Sequence, residues 1–175
     1  YMLNDLKFTY MTYVLVISFE FFARIISITF WGKMVDKSGS LKVLGIVTYL
    51  IPIVPILWLF SSNICYLCVA QILSGIVWSA FDLSVQTFIY RATAPEQRLK
   101  YIVYYKSLTS FSVAFGALLG ALLVNRVVPL FGSKILTLFL LSGILRMVVA
   151  RVMLPKLTYE GIPGAVIHEE LANEL

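Results

Sequence analysis

Five long apolar runs, each divided from the next by a short polar break, constrain this chain more than any other feature. They cover about Phe8–Trp31, Val43–Phe60, Ile64–Tyr90, Leu99–Val124 and Ser133–Leu154. A helix needs about 20 mostly apolar residues to cross a bilayer, and these runs are of that order. Their apolarity is continuous, whereas barrel strands would alternate at every second residue. Composition agrees: 60% of residues are hydrophobic and 13% charged, with a mean hydropathy of +0.91. An ordinary soluble domain has about 45–50% apolar and about 25% charged residues. A soluble globule, a disordered chain and a coiled-coil rod are excluded. The expectation is an all-α membrane protein with five transmembrane helices.

The breaks orient the spans. Alternating sides collect Lys33, Lys37, Lys42, Arg91, Arg98, Lys100, Arg151 and Lys156 on one face. Only Lys7, Arg126 and Lys134 fall on the other. The positive-inside rule makes the first face cytoplasmic, with the N-terminus outside and the C-terminus inside. The net charge of +5 is then read as loops facing an anionic leaflet, with no nucleic acid implied. Pro52 and Pro55 lie within the second run and predict a bend, because proline removes a backbone donor and clashes with the preceding turn. Residues 157–175 are polar, with Glu160, Glu169, Glu170 and Glu174, and are expected to form a cytoplasmic tail. The chain opens on Tyr1 without a basic segment before its first apolar run, so no signal peptide is read and a longer parent protein is expected.

The first cytoplasmic break, Gly32 to Lys42, holds two glycines, Asp36 and three lysines, and reads as a tight loop between antiparallel helices. Gly39 can supply the positive φ such a turn needs. In the order Gly32, Asp36, Lys37, Gly39, Lys42 the loop resembles the signature loop of the major facilitator superfamily; Ser40 and Leu41 stand where basic residues are frequent. Asn4-Asp5-Leu6, the stretch from Gln71 to Trp78, Phe81-Asp82-Leu83, Pro95-Glu96-Gln97-Arg98 and Gly116 to Gly120 are similar to successive landmarks of that family's C-terminal half. The resemblance implies helices 8 to 12 of a twelve-helix transporter, most of one six-helix bundle, with the N-terminal half as a missing partner. A registration on helices 2 to 6 fits less well, since Gln71 stands where the N-terminal half usually has an arginine and the tail is short for a central linker. The resemblance further implies a conformational switch at Asp36, with Arg98 as its partner.

Ionisable groups at bilayer depth cost about 2.5–3.5 kcal/mol on insertion scales, so they normally face protein or water. Glu20 and Arg24 stand one turn apart in the first span and can pair. In the third span Gln71, Gly75, Trp78, Asp82 and Gln86 recur at steps of four and three, which places them on one helical stripe. Two readings are open. The stripe lines a cavity for solute or a coupling proton, or it is a packed seam using Gly75 for close approach. Arg146, inside the fifth span, is expected to pair with Asp82 or Glu20. Lys106 is expected to snorkel to the interface. Gly116 and Gly120 have the small-xxx-small spacing of a helix-packing surface. Cys65 and Cys68 stand without histidine partners and read as apolar filling, and His168 is isolated.

Taken together, the residues and the resemblance point to a transporter of a small solute, without cofactor or metal, working in a cell membrane by alternating access. A membrane-embedded enzyme would need convergent catalytic groups near a membrane surface, and only Asp36 with the lysines lies there. A non-transporting receptor or scaffold is the remaining alternative.

Overall fold

The computed structural model describes residues 1–130 and 132–159, and for 156–159 the backbone alone. The order is α1 (Tyr10–Ser38), α2 (Ser40–Leu50), α3 (Ile53–Leu57), α4 (Ile64–Ala92), α5 (Arg98–Val124) and α6 (Lys134–Tyr159). With α2 and α3 forming one span, five helical segments are long and apolar enough to cross a membrane. The fold is an all-α membrane bundle. Glu160, His168, Glu169, Glu170, Glu174 and the rest of the expected tail beyond Tyr159 lie outside the described residues. Residues 157–159 belong to α6, which carries Pro155 within it.

Side chains punctuate the helices where the sequence provides them. Thr9 Oγ1 accepts from the Thr12 amide at 3.3 Å and starts α1. Asn63 Oδ1 accepts from the Cys65 amide at 2.8 Å and starts α4. Both satisfy donors that a helix leaves open at its first turn. Pro52 ends the regular turn of α2, and α3 resumes one residue later, so the helix is interrupted where the prolines were expected to bend it.

The expected loop at Gly32–Lys42 is corrected. Gly32, Asp36 and Lys37 are helical, in the last two turns of α1, and Lys42 is in the first turn of α2. Gly39, at φ 82° and ψ 147°, is the whole break. Residues from Gly32 to Ser38 all take up the helix, and only Gly39, whose missing Cβ permits a positive φ, leaves it.

Helices α1 and α4 form the central pair. Gly75 lets α4 press onto α1: a Cβ there would collide with the Glu20 carbonyl oxygen and lie 2.9 Å from the Ala23 Cβ. One turn on, the hydroxyls of Ser27 and Ser79 meet at 2.7 Å, buried between the helices. Trp31, Val35, Val43, Val47 and Ala80 close the core at the Gly39 end. Met2, Val16 and Leu67 close it at the Asn63 end. Helix α6 joins through Gly143, whose missing side chain leaves room for Ile56 and the Pro52 carbonyl.

Helix α5 stands apart. None of its residues is buried, and no atom lies within 4 Å of a Cβ built at Gly116 or Gly120. The expected packing surface at these glycines therefore meets no neighbour among the described residues. Small residues permit close approach, but a partner helix has to be there to use it.

Candidate functional site

The ionisable residues of α1 and α4 converge halfway along the central pair. Glu20 and Arg24 are one turn apart, and the guanidinium Nη2 donates to Glu20 Oε1 at 3.3 Å. Nη1 of the same guanidinium donates across to Asp82 Oδ2 on α4 at 3.1 Å. One arginine thus bridges two carboxylates. All three side chains remain partly exposed, at 27% for Glu20, 37% for Arg24 and 41% for Asp82. In a membrane-spanning bundle, that exposure at mid-helix requires water, a solute or further protein beside it.

The stripe on α4 divides between the two readings. Gly75 belongs to the packed seam with α1. Gln71 is buried at 6% exposure, and its amide makes no hydrogen bond among the described residues. It opens onto a cavity of about 470 Å³ at the Asn63 end, lined also by Glu20, Tyr1, Tyr13, Trp58 and Phe139. Trp78 lines a different hollow, of about 350 Å³, between α2, α4 and α6. Asp82 is held by Arg24, and Gln86 is exposed beyond it. Successive members of the stripe face different neighbours because α1 crosses it at Gly75.

Two expected pairings are corrected. Arg146 reaches neither Asp82 nor Glu20; its guanidinium lies 5.7 Å above the Trp78 ring, a cation–π contact. Arg24, nearer on α1, already occupies Asp82. Asp36 faces Arg91 at 3.7 Å instead of Arg98. Arg98 donates to the Thr93 carbonyl at 3.3 Å and stacks over Tyr90 at 5.4 Å, turned back onto the end of α4. Asp36 and Arg91 are 80% and 52% exposed, so this ion pair contributes less than about 1 kcal/mol to stability. A contact so weak is easily exchanged. Lys37 and Lys42 are exposed nearby. Lys106 lies 5.9 Å from the Tyr105 ring.

The aromatic wall of the larger cavity was not anticipated. Tyr1 meets Trp58 edge-on at 6.3 Å, and Trp58 meets Phe139 edge-on at 5.6 Å. These rings come from the segment before α1, from the end of α3 and from α6. No spacing in the chain relates them, and each alone reads as an interfacial aromatic.

The sequence model of the Major Facilitator Superfamily matches residues 1–164, nearly the whole chain. No curated protein and no solved structure matches it. The match takes in all five spans, the Gly39 junction and the Glu20–Arg24–Asp82 cluster, and the chain belongs to the major facilitator superfamily of membrane transporters.

Proposed function

We propose that this chain supplies one helix bundle of a secondary transporter that moves a small solute across a cell membrane by alternating access. The observation that carries the reading is the shared guanidinium of Arg24. It ties α1 to α4 at mid-span and leaves two carboxylates partly exposed. A membrane protein keeps such a cluster where a solute or proton path runs. A second bundle facing it, the N-terminal half expected from the resemblance, completes the cavity. Asp82 is the proposed carrier of a coupling proton, since its protonation would release Arg24 to Glu20 alone. The Gly39 end is proposed as cytoplasmic, from the distribution of lysine and arginine.

Asp36 is the proposed switch. Its exposed, weak contact to Arg91 suits an acid that changes partners between two states. The test uses the full-length protein in proteoliposomes, lacking Cys65 and Cys68, with a single cysteine at Ile17 or at Gln86. Asp36→Asn is expected to raise labelling by an impermeant thiol reagent at one position and lower it at the other. Parallel changes, or none, would overturn the two-state reading. Transport turnover is expected to fall by about tenfold in the same variant, while solute affinity stays within about twofold of wild type.

A further inference from the structure

We infer that the cavity at the Asn63 end is a binding site for a monovalent organic cation; this deepens the transporter reading and rests on it. The volume, about 470 Å³, lies within the range of about 300–1,000 Å³ usual for small-molecule sites. Its walls combine two features that together select charge. Tyr1, Tyr13, Trp58 and Phe139 present aromatic surface, with Trp58 at the centre meeting Tyr1 and Phe139 edge-on. The negative faces of such rings attract cations, most strongly where water is excluded. Glu20 is the one charged side chain among the described residues that line the cavity, and no lysine or arginine side chain lines it.

The charge balance behind the wall sets the valence. Arg24 approaches Glu20 from outside the cavity and is shared with Asp82, so one positive charge meets two negative ones. In the state with both carboxylates ionised, one negative charge is left for a ligand to neutralise. Gln71 adds an amide to the wall of the same cavity, without a hydrogen bond among the described residues and so free to pair with a ligand's polar group. The ligand class is therefore an amine or quaternary ammonium with an apolar or aromatic body and one hydrogen-bonding group within reach of Gln71.

Asp82 contributes without lining the cavity. Removing its carboxylate leaves Arg24 to Glu20 alone, and the attraction for a cation is cancelled. Removing the guanidinium has the opposite effect. This opposition separates the proposal from a general loss of fold.

The experiment is equilibrium titration of benzyltrimethylammonium into the full-length protein in phosphatidylglycerol nanodiscs, with empty discs subtracted. Saturable binding is expected, with benzyl alcohol and benzenesulfonate binding at least tenfold more weakly. Glu20→Gln, Trp58→Ala and Asp82→Asn are each expected to weaken binding tenfold or more, and Trp58→Phe to keep most of it. Arg24→Gln, in protein that retains the wild-type melting temperature, is expected to tighten it severalfold. Absence of saturable binding, or equal binding of the cation and benzyl alcohol by the wild-type protein, would overturn the proposal without reference to any variant. Tightening by Asp82→Asn would also overturn it. Failure here with reciprocal labelling at Ile17 and Gln86 intact refutes the cation class and leaves the transporter reading standing. Saturable cation binding with parallel labelling refutes the transporter reading and leaves the site.

Discussion

Gly75 and Gly116 show how one residue type serves opposite roles within this molecule. Gly75 has no room for a side chain, because the Glu20 carbonyl and Ala23 already occupy the space, while Gly116 has nothing within 4 Å. Gly75→Ala is therefore expected to lower stability by about 1–3 kcal/mol through overpacking. Gly116→Ala is expected to leave it unchanged or slightly raised, since alanine is the better helix former. Thermal melting of the two variants in detergent checks both. The same scale explains which polar contacts could be read in advance. Glu20 and Arg24 share a helix, so their spacing alone brought them together. Arg24 and Asp82 are separated by 58 positions, and only the rotation of α1 against α4 makes them meet. Arg146 was an equally good partner for Asp82 on sequence grounds, and helix rotation turned it to Trp78 instead.

The elements are joined by two breaks with different causes. At Gly39 the backbone takes φ 82° and ψ 147°, a conformation nearly closed to residues with a Cβ. Gly39→Ala is expected to cost about 1–3 kcal/mol in stability. Gly32→Ala should be silent, although both glycines belong to the signature pattern, because Gly32 is helical with open space around it. A difference in melting temperature between these two variants tests the assignment of the junction to one residue. At Pro52 the break is set by the missing amide, and α3 resumes the span at Ile53. The prolines made that break legible. The extent of α1 was not, because Lys33, Asp36 and Lys37 carry the charge of a loop and the backbone of a helix. In a membrane protein a helix runs past the apolar zone, so polarity marks the interface and does not mark the helix end.

At the scale of the whole molecule, the expected orientation places Gln97 on the cytoplasmic side and Ser62 outside. Both are exposed, so single cysteines there, in a background lacking Cys65 and Cys68, can be labelled with an impermeant reagent in intact cells. Labelling is expected at Ser62→Cys and not at Gln97→Cys; the reverse pattern would invert the orientation. Helix α5, with no buried residue and a glycine face open, is the part of the bundle with most surface available to further protein or lipid. The number of spans, the all-α class, the break at Pro52, the family and the Glu20–Arg24 pair were determined by the sequence itself. Each depends on length, hydropathy or residues close along the chain. Tertiary structure alone decided that Gly75 is a seam and Gly116 open, that Arg24 serves Asp82, and that Trp58 joins Tyr1, Phe139, Glu20 and Gln71 around one cavity. The physical reason lies in the bilayer. Helix faces toward lipid and faces toward protein are both apolar, so hydrophobic periodicity does not mark which face is buried.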